Sequence, residues 1–327
     1  MSSSTKLPWK VRLLVGAFTF GVNASTSSNN MTVNRCLLRL FDPKLPSSPH
    51  SNSKGIISSD TTIDPSRNLW FRIYSPVATS NNLPIIIYIH GGGFCLLAPD
   101  SLPYDRFCRR LAHDIPAIVI SINYQLAPEN KFPCQLEDCF EFLKFIDASD
   151  ELVAKADLTR CFIVGDSAGG NLAHHTAVRA SQFEFNKLKI VGLIAIQPFF
   201  GGEERTEAET RLIKAPILSV SRSDWYWKAY LPNGLDRDHP TVNVFGPNAV
   251  DDISALTKFP ITLVIIGGFD PLQDWQKRYY DGLKRSGKVV RVVEYSNSPH
   301  GFYGFPELPE FAMLITEIRD FMRDITN

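Results

Sequence analysis

The sequence has no excess of charge of either sign. Its 327 residues include 34 Lys and Arg and 34 Asp and Glu, so the formal net charge is zero. A balanced chain lacks the broad positive field that draws nucleic acid or anionic membrane to a protein. We therefore expect no nucleic-acid partner, and a small-molecule substrate that is attracted locally, by apolar surface. Protein partners are left open.

Several motifs for bound groups are also missing. No C-x-x-C occurs among the six cysteines, and no G-x-G-x-x-G or G-x-x-x-x-G-K-[ST] loop is present. These absences argue against zinc, thiol redox and phosphate-binding chemistry. His239, in a polar stretch, is the histidine that most invites a metal interpretation, but no second histidine lies at ligand spacing. The sequence predicts neither a metal nor an organic cofactor.

The cysteines do not form a disulfide framework in the sequence. A chain of this length, with 44% hydrophobic residues, can bury a sizeable core without covalent cross-links. Free thiols in a reducing compartment are therefore expected, in the cytoplasm or in the cytoplasm and nucleus. The longest apolar run, Leu13–Val22, is too short to cross a bilayer, so no stable membrane insertion is predicted.

Apolar strand-like stretches alternate with helical ones along most of the chain. Near-continuous apolar runs are typical of central strands that helices cover on both faces. We predict an α/β fold with a mostly parallel sheet. The predicted strands are Leu69–Tyr74, Ile85–Ile89, Ala117–Ile122, Phe162–Val164, Val191–Ile196, Thr262–Ile266 and Val289–Tyr295.

Ser167 lies in a G-x-S-x-G pentapeptide, Gly165–Gly169. An apolar strand-like run, Arg160–Val164, precedes it, and a helix-like stretch, Asn171–Ala177, follows it. Small flanking residues allow a sharp turn between strand and helix that lifts the serine oxygen clear of the sheet. The motif in this context predicts that Ser167 is a nucleophile.

A second motif, His90–Phe94, contains three consecutive glycines after another strand-like run. Backbone N–H groups that glycines leave accessible can stabilise the oxyanion of an acyl-transfer reaction. The predicted oxyanion hole consists of Gly91, Gly92, Gly93 and Ala168. In this prediction Gly91 shapes the turn and the other three residues supply N–H donors.

The base and its orienting acid are expected after the nucleophile, in the order Ser, Asp or Glu, His. Asp270 follows the strand-like Thr262–Ile266, and His300 follows Val289–Tyr295. Both lie just past strand ends, where parallel sheets place functional residues. We predict that His300 accepts the Ser167 proton and that Asp270 orients the imidazole.

The other candidates are assigned structural roles. Asp274 is expected to cap or solvate the helix after Asp270, and His90 to brace the glycine loop. His174 and His175 follow Ser167 on its own helix and are expected to point away from it or to pack against the sheet. Surface positions are expected for His50 and His113.

Five segments together resemble the plant carboxylesterases of the hormone-sensitive-lipase-like branch of α/β-hydrolases. They are His90–Phe94, Tyr124–Glu129, Gly165–Asn171, Phe269–Leu272 and His300–Phe302. Gibberellin receptors are close relatives in this family. The resemblance implies that those receptors usually carry an aliphatic residue at the catalytic histidine position. Because this sequence retains His300, the resemblance favours an enzyme over a receptor.

The N-terminal region admits two interpretations. A basic stretch before Leu13–Val22, small residues after it, and sequons at Asn23 and Asn30 fit a secretory signal. The resemblance instead implies a lid, because Thr32–Arg35 and the following Phe41–Asp42 are similar to the lid segment of gibberellin receptors. We favour the lid.

Two parts are predicted around the hydrolase core. Residues 1–45 would form the N-terminal lid segment, and residues 46–327 the α/β-hydrolase domain. The interval of about 199–247 interrupts the strand–helix alternation and is expected to be a cap over the active site. Its aromatic run, Trp225–Tyr230, fits a pocket wall and the cap's own core equally well.

These observations predict a serine carboxylesterase for small to medium uncharged carboxylic esters, acting through an acyl-enzyme intermediate. Two alternatives remain. One is a hormone or ligand receptor on a hydrolase scaffold, and the other is a lyase or cyclase that uses the same pocket. A lyase would release an unsaturated product without incorporating water.

Overall fold

The structure is a computed structural model, and it describes residues 7–50, 55–77, 82–150 and 156–326. The strands are β1 Thr26–Ser27, β2 Thr32–Val33, β3 Ile56–Asp64, β4 Leu69–Pro76, β5 Leu83–Ile89, β6 Ile118–Asn123, β7 Ala156–Asp166, β8 Ile190–Ile196, β9 Ile261–Phe269 and β10 Val290–Pro299. The helices are α1 Trp9–Ser25, α2 Arg35–Leu38, α3 Leu102–Asp114, α4 Cys134–Ala148, α5 Ala168–Ser181, α6 Glu207–Arg211, α7 Val220–Tyr230, α8 Gln273–Arg285 and α9 Pro309–Thr326. Single 3₁₀ turns are formed by Ile253–Ala255 and Phe302–Gly304.

Eight of these strands form one sheet in the order β10-β9-β8-β7-β5-β6-β4-β3. β5 to β10 are parallel to one another where they pair, whereas β4 is antiparallel to both of its neighbours. The predicted mostly parallel α/β sheet is confirmed. Because β6 and β7 lie on opposite sides of β5, the crossover direction reverses there, and ligands bind at such switch points.

Alternate residues of the central strands pack into different layers. Ile85, Ile87 and Ile89 of β5 belong to a buried cluster with residues of α4, α5 and α8. Ile86 and Tyr88 belong to a second cluster with residues of α3 and α9. Since successive side chains of a strand point to opposite faces, these runs must be apolar throughout. The result is a sheet covered by helices on both faces.

All seven predicted strands are present, with somewhat different ends. The strand predicted at Phe162–Val164 is longer, because β7 spans Ala156–Asp166. β3 was not predicted. Its sequence, IISSDTTID, is largely polar, and it lies at the edge of the sheet, where only one neighbour covers it. Residues 46–53 are rich in Ser, Pro and Asn, which predicts a linker, and they lie partly outside the described residues. Among the residues that the structure does describe, no helix is both long and apolar enough to cross a membrane.

Arg72 of β4 is a buried cation that connects the sheet edge to α3. Its guanidinium donates to Asp60 Oδ1 at 2.6 Å, to Leu45 O at 2.8 Å and to Asp105 Oδ1 at 3.1 Å. Asp105, on α3, is buried and also accepts from Tyr74 and Arg109. Removing one partner of a buried ion pair leaves the other charge without compensation. The position of α3 therefore depends on this cluster.

Besides His300, three of the described histidines are buried. His90 Nδ1 donates to Gly91 O at 2.8 Å, His174 hydrogen-bonds Tyr279 Oη at 3.0 Å, and His175 Nε2 donates to Thr241 O at 3.1 Å. Burial lowers the pKa of His90 to about 3 and that of His175 to about 4, and it lowers the pKa of His174 well below the usual 6.5. All three imidazoles are therefore neutral near neutral pH.

We predict that Arg72→Met lowers the free energy of unfolding by about 1–3 kcal/mol, because it removes one of the two guanidinium groups that pair with the buried Asp105 and leaves Leu45 O without its donor. Urea denaturation followed by circular dichroism measures the loss. Arg319→Met is the control, since Arg319 pairs with Asp320 on the surface and such pairs contribute little. Equal stability of the two variants would contradict this account of the cluster.

Acidification is expected to destabilise the fold between pH 6.5 and pH 5. The unfolded chain takes up protons on these histidines below about pH 6.5, whereas the folded chain does so only near pH 4 or below. Each imidazole then lowers the free energy of unfolding by about 1–2 kcal/mol over this range. Denaturation midpoints at several pH values measure the slope. His175→Gln should make the dependence of stability on pH shallower, and the surface variant His113→Gln should not. An unchanged slope in His175→Gln would contradict the assignment of this dependence to buried histidines.

Candidate active site

The polar residues selected from the sequence converge at one edge of the sheet. Ser167 follows β7, Asp270 follows β9, His300 follows β10, and the glycine loop Gly91–Gly93 follows β5. These strands are parallel, so their carboxyl ends meet at the same edge. Residues far apart in sequence therefore come within hydrogen-bonding distance.

Ser167 occupies a strained turn between β7 and α5. Its φ of 50° and ψ of −120° lie in a region that non-glycine residues rarely adopt. Its N–H donates to Ile196 O at 2.9 Å, and Gly170 N and Asn171 N donate to its carbonyl. A Cβ on Gly169 would lie 2.0 Å from Ile89 O, so only glycine permits this close approach to β5. The turn directs the serine side chain away from the sheet.

Three side chains form a continuous hydrogen-bonded chain. His300 Nε2 lies 2.8 Å from Ser167 Oγ, and His300 Nδ1 lies 2.7 Å from Asp270 Oδ2. The carboxylate accepts the Nδ1 proton, which leaves Nε2 of a neutral imidazole free to accept the serine proton. All three residues are buried. This geometry is the arrangement that an activated serine nucleophile requires.

Asp270 is fully buried and accepts further hydrogen bonds besides that of His300. Leu272 N donates to Oδ1 at 2.9 Å, and Gln276 Nε2 donates to Oδ2 at 2.8 Å. Gln197 Nε2 donates to the same Oδ2 at 3.1 Å. Hydrogen bonds of this kind stabilise the charged form of a buried carboxylate and fix its orientation.

The glycine loop and the start of α5 present N–H groups beside Ser167. No described hydrogen bond uses the backbone N–H groups of Gly92, Gly93 and Ala168. Gly93 has a φ of 61°, and a Cβ there would lie 2.4 Å from Cγ of Tyr226, so the loop is closely packed. Gly92 and Gly93 line the same cavity as Ser167, and Ala168 directly follows Ser167 in the chain.

Gly91 does not belong with these donors. Its N–H is already used, because Tyr104 Oη lies 2.8 Å away and Asp166 Oδ1 lies 3.0 Å away. A Cβ on Gly91 would also lie 2.4 Å from Asp166 Oδ2. Gly91 therefore has no free N–H for a substrate, and the role left for it is the one expected from the sequence, which is to shape the loop.

Asp166 fixes the base of this loop. Tyr88 Oη donates to Oδ1 at 2.6 Å and Tyr104 Oη donates to Oδ2 at 2.8 Å. Burial raises the pKa of Asp166 above its ordinary value, and the tyrosine and Gly91 hydrogen bonds act in the opposite direction. Since Tyr104 lies on α3, the Arg72 cluster that positions α3 also positions the glycine loop.

The remaining candidates are not part of this hydrogen-bonded chain. His90 stacks on Tyr124 with ring centroids 4.3 Å apart, and its contact with Gly91 places it under the loop. His174 and His175 are buried on α5, as described above. The prediction that Asp274 caps or solvates its own helix is incomplete, because its carboxylate accepts from Ala208 N, in the first turn of α6. Within the described ranges, no group of His, Cys, Asp and Glu could hold a metal ion.

A cavity of about 470 Å³ opens over Ser167 and His300. Its walls are mainly apolar and come from segments far apart in the chain. Those of the N-terminal segment are Leu14, Val15, Ala17, Phe18, Leu40, Phe41 and Pro43. Those of the interval 199–247 are Phe199, Ile217, Leu218 and Tyr226. Asp42 and Arg106 add polar groups to the lining.

Several residues of the site were not identified from the sequence. Gln197 follows β8 as the other residues follow their strands, so a polar side chain at the carboxyl end of an apolar strand was a usable signal. Gln276 lies on an amphipathic helix, and Tyr104 on another, and nothing in their local sequence marks them. Their contacts depend on how the helices pack.

The contacts of the N-terminal segment are specific. Arg35 donates to both carboxylate oxygens of Glu129, to Ala127 O at 2.8 Å and to Cys95 O. Arg222 of α7 donates to Thr26 Oγ1 at 2.9 Å and to Asn23. The segment is therefore held to the core near the glycine loop and to the interval 199–247.

Comparisons with known proteins agree with this fold. A family model described as alpha/beta hydrolase fold matches residues 86–304. The gibberellin receptor GID1C of Arabidopsis thaliana is 36% identical over 337 residues, which cover 98% of this chain and 96% of the receptor. Probable carboxylesterase 6 of Arabidopsis thaliana is 38% identical over 276 residues, 82% of this chain and 78% of that protein.

A solved structure shows the same likeness. The hyperthermophilic esterase from the archaeon Pyrobaculum calidifontis superposes with a TM-score of 0.73 at 26% identity, covering 99% of this chain and 93% of the esterase. The family model spans more than half of the chain, and the similarity to plant relatives extends over nearly all of it. The chain therefore belongs to the α/β-hydrolase family that also contains plant carboxylesterases and gibberellin receptors.

Proposed function

We propose that this protein is a serine carboxylesterase that hydrolyses small to medium uncharged esters through an acyl-enzyme intermediate. The observation that carries the proposal is the hydrogen-bonded chain of Ser167, His300 and Asp270. Esterases among its relatives and structural neighbours support the same chemistry. Neither the chain's motifs nor its site calls for a metal or organic cofactor in this reaction.

In the first half-reaction Ser167 Oγ attacks the ester carbonyl while His300 Nε2 accepts its proton. Negative charge develops on the former carbonyl oxygen, where Gly92, Gly93 and Ala168 offer N–H donors. Each such donor is worth about 10²–10³ in rate. The imidazolium then gives its proton to the alcohol oxygen as the C–O bond breaks. The alcohol leaves, and the acyl group remains on Ser167.

In the second half-reaction water replaces the alcohol. His300 takes a proton from the water as its oxygen attacks the acyl carbon, and the same donors hold the oxyanion. The bond to Ser167 Oγ then breaks, and the serine recovers its proton from His300. One ester and one water give one acid and one alcohol, with the protein unchanged.

The cavity supports an apolar substrate of moderate size. Its 470 Å³ falls in the range of sites for small organic molecules, and most of its lining side chains are aliphatic or aromatic. Transfer of an acyl or alcohol group of several carbons from water to such an apolar wall is favourable. A strongly charged ester would lose its hydration on binding and would find few charged or polar groups in the cavity to compensate for that loss.

The N-terminal segment acts in this proposal as a lid, and the interval 199–247 as a cap. Both supply cavity walls, and Trp225 Nε1 of the cap donates to Ser27 O of the segment at 3.2 Å. The glycine Gly21 packs directly on the Phe41 ring, which joins α1 to the loop after α2. All six cysteines are free thiols.

A ligand receptor is the second candidate. Identity to gibberellin receptors extends over nearly the whole chain and includes the N-terminal segment. A receptor would bind its ligand in the same cavity without turnover. Measured hydrolysis therefore decides between the two candidates.

Ser167→Ala should lower kcat by about 10⁵–10⁶-fold on p-nitrophenyl acetate, because no nucleophile remains. His300→Ala should lower it to a similar extent. Hydrolysis of p-nitrophenyl esters from acetate to octanoate is the measurement, together with labelling by a fluorophosphonate. Wild type should be labelled and Ser167→Ala should not.

Ser181→Ala is the matched control, because Ser181 lies at the opposite end of α5 and its hydroxyl donates to Ala177 O. This variant should hydrolyse esters like wild type. Full activity in Ser167→Ala would refute the nucleophile. A folded wild type that binds small apolar molecules but hydrolyses no ester would favour the receptor.

Arg35→Gln tests the lid. Loss of the bidentate contact with Glu129 should loosen the segment and raise KM for the octanoate ester by about 3- to 10-fold, while KM for acetate changes little. Acetate is too short to need the apolar wall. Arg39→Gln, an exposed change in the same segment, is the control. Equal effects on both esters would argue against a lid.

A further inference from the structure

Gln197 occupies an unusual position at the carboxyl end of β8. It is fully buried, and its φ of 43° places it in the left-handed region, just before Pro198. Its backbone N–H donates to Ile265 O at 2.8 Å, which ties it to β9. A non-glycine residue keeps such a conformation only when its surroundings hold it there. The side chain supplies those contacts.

The Gln197 amide bridges the two loops that carry Asp270 and His300. Nε2 donates to Asp270 Oδ2 at 3.1 Å and to Pro299 O at 3.2 Å. Oε1 accepts from Gly301 N at 2.9 Å. Pro299 and Gly301 are the residues on either side of His300. One amide thus binds the carboxylate and the backbone on both sides of the imidazole.

The space around this amide is shaped to its size. A Cβ on Gly267 would lie 2.1 Å from Gln197 Nε2, so β9 has a glycine where the amide passes. Gln276 offers a useful comparison, because its Nε2 donates to Asp270 Oδ2 at 2.8 Å but the described hydrogen bonds give it no contact with the His300 loop. The two glutamines share an electrostatic role, and only Gln197 also holds the histidine loop.

We propose that Gln197 is a positioning residue that fixes the distance and angle between Asp270 and His300 during ester hydrolysis. The inference rests on the proposed function. It assigns the amide two tasks. The hydrogen bond from Nε2 to Oδ2 stabilises the negative charge of the Asp270 carboxylate. The contacts with Pro299 and Gly301 set the position of the imidazole relative to Ser167. Catalysis requires the reacting groups to be placed to well within an ångström. Both tasks therefore affect turnover.

Three described titratable groups are linked to the bridge: Asp270, which the amide contacts, His300, which pairs with Asp270, and Tyr303, which interacts electrostatically with Asp270. Tyr303 stays neutral, because burial raises its pKa well above the usual value. Changes at Gln197 are therefore expected to act on the Asp270–His300 pair. Loss of the Nε2 donor leaves more charge on Oδ2, which stabilises the imidazolium and moves the acid limb of the pH–rate profile to higher pH.

The test uses four variants of the full chain with p-nitrophenyl butyrate. Gln197→Met keeps the length of the side chain and removes both polar atoms. Gln197→Glu keeps the shape and an acceptor, but it has a donor only when the new carboxyl is protonated. Gln276→Met removes one donor to Asp270. Gln135→Met is the control for loss of a buried glutamine, since Gln135 donates to Asn130 O, in the α4 region.

Gln197→Met should lower kcat roughly 10- to 100-fold with KM within about threefold, and move the acid limb up by about half to one pH unit. Gln276→Met should move the limb similarly with a smaller loss of kcat. Gln197→Glu should be most active, relative to wild type, at low pH and lose activity as the pH rises, because the ionised side chain repels Asp270. Gln135→Met should keep the wild-type profile.

Each other outcome is also informative. Wild-type kcat and an unmoved limb in folded Gln197→Met would overturn the inference while leaving Ser167-dependent hydrolysis, and so the proposed function, intact. A wild type without hydrolysis would instead defeat the proposed function. If Gln197→Met does not fold, Gln197→Glu decides: a loss of activity that is independent of pH, and matched by its loss of melting temperature, would overturn the positioning role.

Discussion

The turn at Ser167 is the constraint on which the rest of the site depends. It exists because β7 runs parallel between β5 and β8 and because Gly169 lets α5 start directly against Ile89. A side chain at position 169 would push α5 away from the sheet and move Ser167 away from His300. The strain of the turn is sustained by the packing of the whole core, since the backbone of Ser167 is hydrogen-bonded to Ile196 and Phe199 of the neighbouring strand end.

Much of this arrangement is predictable from the sequence. Apolar runs indicate buried strands, and in a parallel sheet the residues that follow these strands meet at one edge. The sequence alone therefore predicts that Ser167, Asp270 and His300 lie near one another. Their spacing in the chain is irrelevant to this inference, because register and direction bring them together. The edge strand β3 was missed because it has few apolar residues and is held mainly by pairing with β4.

The sequence could not predict which partners the individual side chains contact in the folded chain. Whether the N–H of Gly91 is free depends on where Tyr104 and Asp166 lie, and these come from different elements. Asp274 accepts a hydrogen bond from Ala208 N of α6, and no periodic pattern in the sequence predicts that contact. The role of Gln197 likewise depends on a glycine one strand away. Such contacts are properties of packing, and local patterns describe only the element on which a residue lies.

The N-terminal segment contributes walls to the cavity but none of the described hydrogen bonds to Ser167, His300 or Asp270. In the proposed function, the groups that react and the cavity walls that this segment supplies therefore lie in separate stretches of the chain. Substitutions in α1 and the loop at 40–43 can alter which molecules fit while the reacting groups keep their geometry. Under the proposed function, this division is favourable for evolution, because substitutions in the segment can change specificity without first abolishing turnover.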